Sequence, residues 1–149
     1  WLRTWIWMAP NFDGWGWKML HIRTPSGTRT EVKPYSDAVH PVIDNNSSIR
    51  TPYVGRDVAG RDRGRWVEVR VERIFASAGQ NDGVFRVLWD GQLVADEVGV
   101  APARDNETFD GRLTFIQNIA FGLNTGPTEP THVLWGPAEL SFTDPGWAW

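Results

Sequence analysis

Two long runs of alternating hydrophobic and polar residues occupy the middle of the chain, at 65–76 and 83–94. In the first, Val67, Val69 and Val71 alternate with Trp66, Glu68, Arg70 and Glu72. Successive side chains leave a strand on opposite sides, so this period of two predicts a strand with one buried and one polar face. In the second run, Phe85, Val87 and Trp89 alternate with Val84, Arg86 and Leu88, and both faces carry apolar groups. This run is expected to fold back on itself at Asp90-Gly91. Asp-Gly between apolar runs is a strong hairpin signal, because a type I′ turn needs positive φ at both central residues.

The same reading extends along the chain. Residues 1–9 alternate as a strand that is apolar on both faces in its middle and ends at Pro10. Residues 17–24 form a second strand, with Trp17, His21 and Arg23 on one face and Lys18, Leu20 and Ile22 on the other. Residues 28–35 alternate polar side chains and are expected near a sheet edge. Residues 36–64, with Pro41, Pro52 and several glycines, read as a long irregular loop containing a short strand near 48–54. Residues 112–123 predict a further strand with a bulge near Gln117-Asn118. The last strands, 132–135 and 139–143, are separated at Gly136-Pro137, and 144–149 form a Trp-rich tail. No stretch has a helical period. Many short strands with regular turn signals predict a single all-β domain, a two-sheet antiparallel jelly-roll sandwich spanning 1–149.

Composition narrows the function classes. A chain of 149 residues can bury a real core, and its 41% hydrophobic and 22% charged content is that of an ordinary globular domain. The net charge of −3 argues against general nucleic-acid binding. No apolar run is long enough for a membrane helix, so no membrane insertion is expected. With no cysteine there is no disulfide framework and no thiolate metal site. Asp13, Asp82, Asp90 and Asp144 lie in predicted turns, where they can cap backbone amides; a structural Ca²⁺ is compatible with such turns but is not assignable, and no other cofactor is implied. The chain begins at Trp1, already in a strand-like run, and is expected to be part of a longer polypeptide. Ten tryptophans are the compositional anomaly. Tryptophan fills cores and interfaces, and its flat face also stacks on sugar rings.

Several segments together resemble one family. They are Trp7-Met8-Ala9-Pro10-Asn11-Phe12, Gly16-Trp17-Lys18-Met19-Leu20, Gly64-Arg65-Trp66-Val67-Glu68-Val69, Asn81-Asp82-Gly83-Val84-Phe85-Arg86 with Trp89-Asp90-Gly91, and Ile119-Ala120-Phe121-Gly122. Their order is similar to that of the heparin-lyase and alginate-lyase-like jelly rolls of the concanavalin A-like lectin/glucanase superfold. The resemblance implies two curved antiparallel sheets, one lining a saccharide groove, and a further strand ahead of Trp1. Two features depart from the family pattern. Its acidic aromatic last strand is replaced by Val133-Leu134-Trp135-Gly136-Pro137, and its alginate-lyase strand signatures are missing.

Two carbohydrate chemistries can be weighed on the residues. Polysaccharide β-elimination needs a group to neutralise the uronate carboxylate, a base for the C5 proton and an acid for the leaving oxygen. His21, Arg23, Arg70 and Tyr53 are the candidate catalytic set, and Arg86 and Gln117 lie on further strands. Retaining glycoside hydrolysis needs two carboxylates about 5–5.5 Å apart. Glu68 and Glu72 share a strand face, but their Cα atoms are roughly 13 Å apart and Arg70 lies between them, so mutual ion pairing is expected instead. Saccharide binding needs less, and Trp17, His21, Arg23, Trp66, Arg70 and Arg86 are the candidate glycan-binding residues.

The sequence therefore leans towards a non-catalytic, lectin-like saccharide-recognition domain, extracellular or on a virion surface. The alternatives are a polysaccharide lyase acting on an acidic glycan, and a purely structural phage, capsid or fibre component. In the last case Trp147 and Trp149 would dock on other protein subunits, unless the tail folds onto the domain's own sheet.

Overall fold

The period-two runs become strands throughout the residues that the computed structural model describes: 1–12, 18–23, 29–34, 38–44, 49–50, 54–55, 58–77, 79–100, 114–120 and 131–147. In chain order these are β1 (Leu2–Met8), β2 (Lys18–Arg23), β3 (Arg29–Pro34), β4 (Ala38–Asp44), β5 (Ile49–Arg50), β6 (Val54–Gly55), β7 (Trp66–Ile74), β8 (Gly83–Trp89), β9 (Gln92–Val100), β10 (Thr114–Ala120) and β11 (Val133–Leu140). One π-helical turn, Val58–Asp62, leads into β7. The first sheet has the order β11-β1-β7-β8-β9; the second has the order β10-β2-β3-β4-β5, with β6 also pairing on β4. All these pairings are antiparallel. The fold is all-β, as the alternation predicts.

A single core joins the two sheets. From the first sheet come Leu2, Ile6 and Met8 on β1, Val67, Val69 and Val71 on β7, and Phe85, Val87 and Trp89 on β8. The second sheet contributes Leu20, Val32 and Val39. Within the first sheet, register aligns Leu2 with Val71 and Val71 with Val87, so alternate positions stack into apolar rows. Fully burying one such side chain contributes roughly 1.5–3 kcal/mol. The hairpin between β8 and β9 turns at Asp90 and Gly91, with φ of 51° and 75°, the left-handed pair that the Asp-Gly motif predicts.

Three expectations are corrected. Residues 28–35 do not lie at an edge: β3 is central, between β2 and β4, and Glu31 and Val32 on it are both buried. The stretch 36–64 is not an irregular loop throughout, because it carries β4, β5, β6 and the π-helical turn. Pro41 is tolerated within β4, where it sits opposite Val32. The last two strands are one, β11. Register against β1 slips between Thr4 and Ile6, which pair with Ala138 and Trp135, so Gly136-Pro137 form a bulge rather than a break. The bulge expected in β10 is present as a register slip between Gln117 and Ala120.

Polar groups tie the turns to this core. Trp89 is buried, and its indole N–H donates to Asp62 Oδ2 at 2.8 Å. Arg65 donates to Asp62 Oδ1 at 2.6 Å and to both oxygens of Asp90, at 2.7 and 3.2 Å. The hydrogen bond from Arg65 to Asp90, ahead of the nearby charges, raises the guanidinium pKa further. The π-helical turn, the hairpin turn and the largest core side chain are thus held by one knot.

A second carboxylate orders the connection from β7 to β8. The Ser77 amide and hydroxyl each donate to Asp82, at 2.7 Å. The Ser77 hydroxyl first, and then its amide, hold the Asp82 carboxyl below its ordinary value. A lowered pKa means that this contribution is complete above the ordinary carboxylate range and is lost as pH falls through the folded value. Thermal unfolding from about pH 5 down to about pH 2 checks this. The wild type is expected to lose melting temperature more steeply than Asp82→Asn over that window, and parallel curves would refute the assignment.

Candidate functional site

The two sheets treat their non-core positions differently. On the outer face of the first sheet the charges neutralise one another. Arg3 meets Glu68 at 2.6 Å and Glu139 at 3.7 Å, and Arg70 meets Glu68 at 2.7 Å. Arg86 bridges Glu72 at 2.9 Å and Asp96 at 2.7 Å, and the Asp96 contact is the main reason its pKa is raised. Glu68 and Glu72 are therefore partners of arginines, as their spacing around Arg70 predicts. Such partly exposed pairs stabilise by about 0–1 kcal/mol each.

The second sheet alternates apolar core rows with rows of ionisable residues. Register sets Leu20 opposite Val32 and Val32 opposite Pro41, and Leu20 and Val32 belong to the core. The next row along contains His21, Glu31 and Val42, with Ile116 beyond His21. Two positions further, Arg23, Arg29 and Asp44 share a row, and on the other side Lys33 pairs with His40. Arg50 is opposite Val42. In register these rows alternate with the row of Leu20 and Val32. Glu31, at the centre, is 1% exposed, and Lys33 Nζ lies 2.9 Å from its Oε2. A buried carboxylate needs such a partner to remain charged.

The sequence-based candidates divide between the two sheets. His21 and Arg23 lie on β2, in adjacent ionisable rows. Trp66 and Arg70 lie on β7 and Arg86 on β8, in the other sheet. The six glycan-binding candidates thus do not form one site, and Arg70 and Arg86 are already occupied by carboxylates. Trp17, Tyr53 and Trp149 lie outside the described residues. Trp147 is half-buried, and the Arg3 guanidinium lies 5.8 Å from its ring. Gln117 is opposite Leu20 in register.

Glu31, Lys33, Arg29, His40 and Asp44 were not among the candidates. The alternation of Arg29, Glu31 and Lys33 with Thr30, Val32 and Pro34 carried the signal. Placing that strand at an edge hid it, because an edge strand has a neighbour on one side only.

Two solved structures share this architecture. The structure of the alginate lyase Aly36B matches with a TM-score of 0.66 at 13% identity, covering 92% of this chain and 66% of that one. The endo-β-1,4-glucuronan lyase from the fungus Trichoderma reesei matches with a TM-score of 0.51 at 17% identity, covering 79% of this chain and 55% of that one. The chain therefore spans 66% and 55% of the lengths of these neighbours. No family model matches the chain, and no curated protein matches it in sequence. At these identities the likeness establishes the fold alone, an all-β architecture shared with these two structures.

Proposed function

We propose that this domain is a polysaccharide lyase acting on an acidic, uronate-containing glycan by β-elimination. The observation that carries this reading is the set of ionisable rows on the second sheet, with His21 opposite Glu31 and with Arg23, Arg29 and Lys33 within one or two positions. The shared fold of two solved polysaccharide lyases supports it. In the proposed step a base removes the C5 proton of the uronate, the C4–O4 bond breaks, a C4=C5 double bond forms and the leaving oxygen takes a proton. His21 is the proposed base. Arg23 is proposed to pair with the uronate carboxylate, which lowers the cost of the negative charge developing at C5. Tyr53, immediately ahead of β6, is the proposed acid. Arg70 is withdrawn from the set, since it lies on the other sheet and is paired with Glu68.

A polymeric acidic glycan suits an extracellular setting. Incubation with alginate, glucuronan and heparin, read by the ultraviolet absorbance of the unsaturated uronate, tests the proposal. Product from at least one polymer is expected, and no product from any of them would sink it. Binding without cleavage would instead favour the lectin-like reading, for which the exposed aromatic groups of the first sheet speak.

A further inference from the structure

Several tryptophans on or beside the first sheet lie outside its core. Among the described tryptophans only Trp89 is fully enclosed, whereas Trp5, Trp7 and Trp147 are half-buried and Trp66 is 48% exposed. They cluster on the outer face. Trp7 is opposite Trp66 in register and stacks on His132, with ring centroids 5.3 Å apart and an interplanar angle of 27°. Arg3 lies 4.7 Å over the ring of Trp5 and 5.8 Å from that of Trp147.

Gly136 shows how Trp66 is seated. A Cβ built there would be 3.4 Å from Trp66 Cζ3 and 3.0 Å from Trp5 Cβ. Gly136 is on β11 and Trp66 is on β7, with β1 between them. The Trp66 ring therefore reaches across β1 and rests over a position that has no side chain. A ring laid along the sheet in this way offers its other face to solvent.

We propose that this face is a second saccharide-binding platform, on the other sheet from the ionisable rows, with Trp66 as the stacking surface for a pyranose ring of a glycan chain. Sugar rings present C–H groups on one face and hydroxyls around the rim. The C–H groups fit an aromatic face. The rim fits the surrounding charges, because Arg3 and Arg70 against Glu68 and Glu139 provide donors and acceptors side by side without net charge. That balance matches hydroxyls, which donate and accept. Between Arg3 and Trp7 the strand runs roughly 13 Å, enough for a short oligosaccharide. The platform does not depend on the elimination reading, since it lies on the other sheet.

Affinity electrophoresis in gels containing alginate, glucuronan or a neutral β-glucan tests the platform. The wild type is expected to be retarded by at least one polymer. Trp66→Ala is expected to weaken that retardation about tenfold or more in apparent Kd, and Trp66→Phe to weaken it less, with an unfolding midpoint like that of the wild type in both. Cleavage of short soluble oligosaccharides, where it occurs, is expected to be unchanged. Retardation by none of the polymers, or equal retardation of wild type and Trp66→Ala, would overturn the platform. Loss of self-association in Trp66→Ala without loss of retardation would overturn it too, and assign the face to a second copy of the chain.

Discussion

Asp62→Ala is expected to destabilise the domain by about 1–3 kcal/mol, the cost of leaving a buried donor without its acceptor. Asp62 is 0% exposed and sits between Trp89 Nε1 and Arg65. Without its carboxylate the buried indole N–H loses its acceptor. Arg65 keeps Asp90, so the hairpin turn stays anchored on that side. Asp62→Asn preserves one oxygen acceptor but sets an amide N–H₂ against either the indole or the guanidinium, so an intermediate loss is expected. Urea unfolding followed by tryptophan fluorescence measures both. At an m value of about 1–3 kcal/mol/M, the Ala variant should lose roughly 1 M in midpoint. A change below about 0.5 kcal/mol would show that the knot is a surface feature and that hydrophobic packing alone holds Trp89.

His21→Ala is expected to lower the proposed elimination rate by about 10²–10⁴, the usual contribution of a positioned general base. The loss should fall on kcat more than on KM, because the base acts on the proton in transit and not on the bound ground state. Arg23→Ala should affect both, since pairing with the carboxylate begins in the ground state and strengthens as charge develops. Initial rates on the polymer cleaved by the wild type, with folding checked by the unfolding midpoint, measure these effects. Retention of more than about a tenth of the activity in His21→Ala would assign the base to another group, and His40, in the neighbouring row opposite Lys33, would be tested next.

Much of the fold was legible because strand signals are local. The alternation of Val67, Val69 and Val71, and the Asp90-Gly91 pair, each act over a few residues and survive in the folded chain. The misread elements share another cause. Pro41 and the surrounding turn residues argued against β4 locally, yet β3 on one side and β5 and β6 on the other fix it in a sheet. Gly136-Pro137 looked like a strand end, but pairing with β1 carries β11 past them as a bulge. In each case neighbours distant in sequence supplied what the local pattern lacked.

The candidate site was legible only in halves. His21 and Arg23 stood out as polar residues on an amphipathic strand. Glu31 and Lys33 did not, because their importance depends on β3 being central and Glu31 being enclosed. The separation of Trp66 from His21 was equally invisible, since two strands of alike pattern can belong to either sheet.

By itself the sequence determined the all-β class, the central hairpin and the apolar rows of β1, β7 and β8, because period-two patterning and turn chemistry are properties of short stretches. Only the tertiary structure decided strand order and register, and with them which polar residues share a row. It set His21 beside Glu31, gave Arg70 and Arg86 to carboxylate partners, and laid Trp66 over Gly136 across an intervening strand. Those outcomes depend on which strands become neighbours, and that choice is made by burial of the whole core at once.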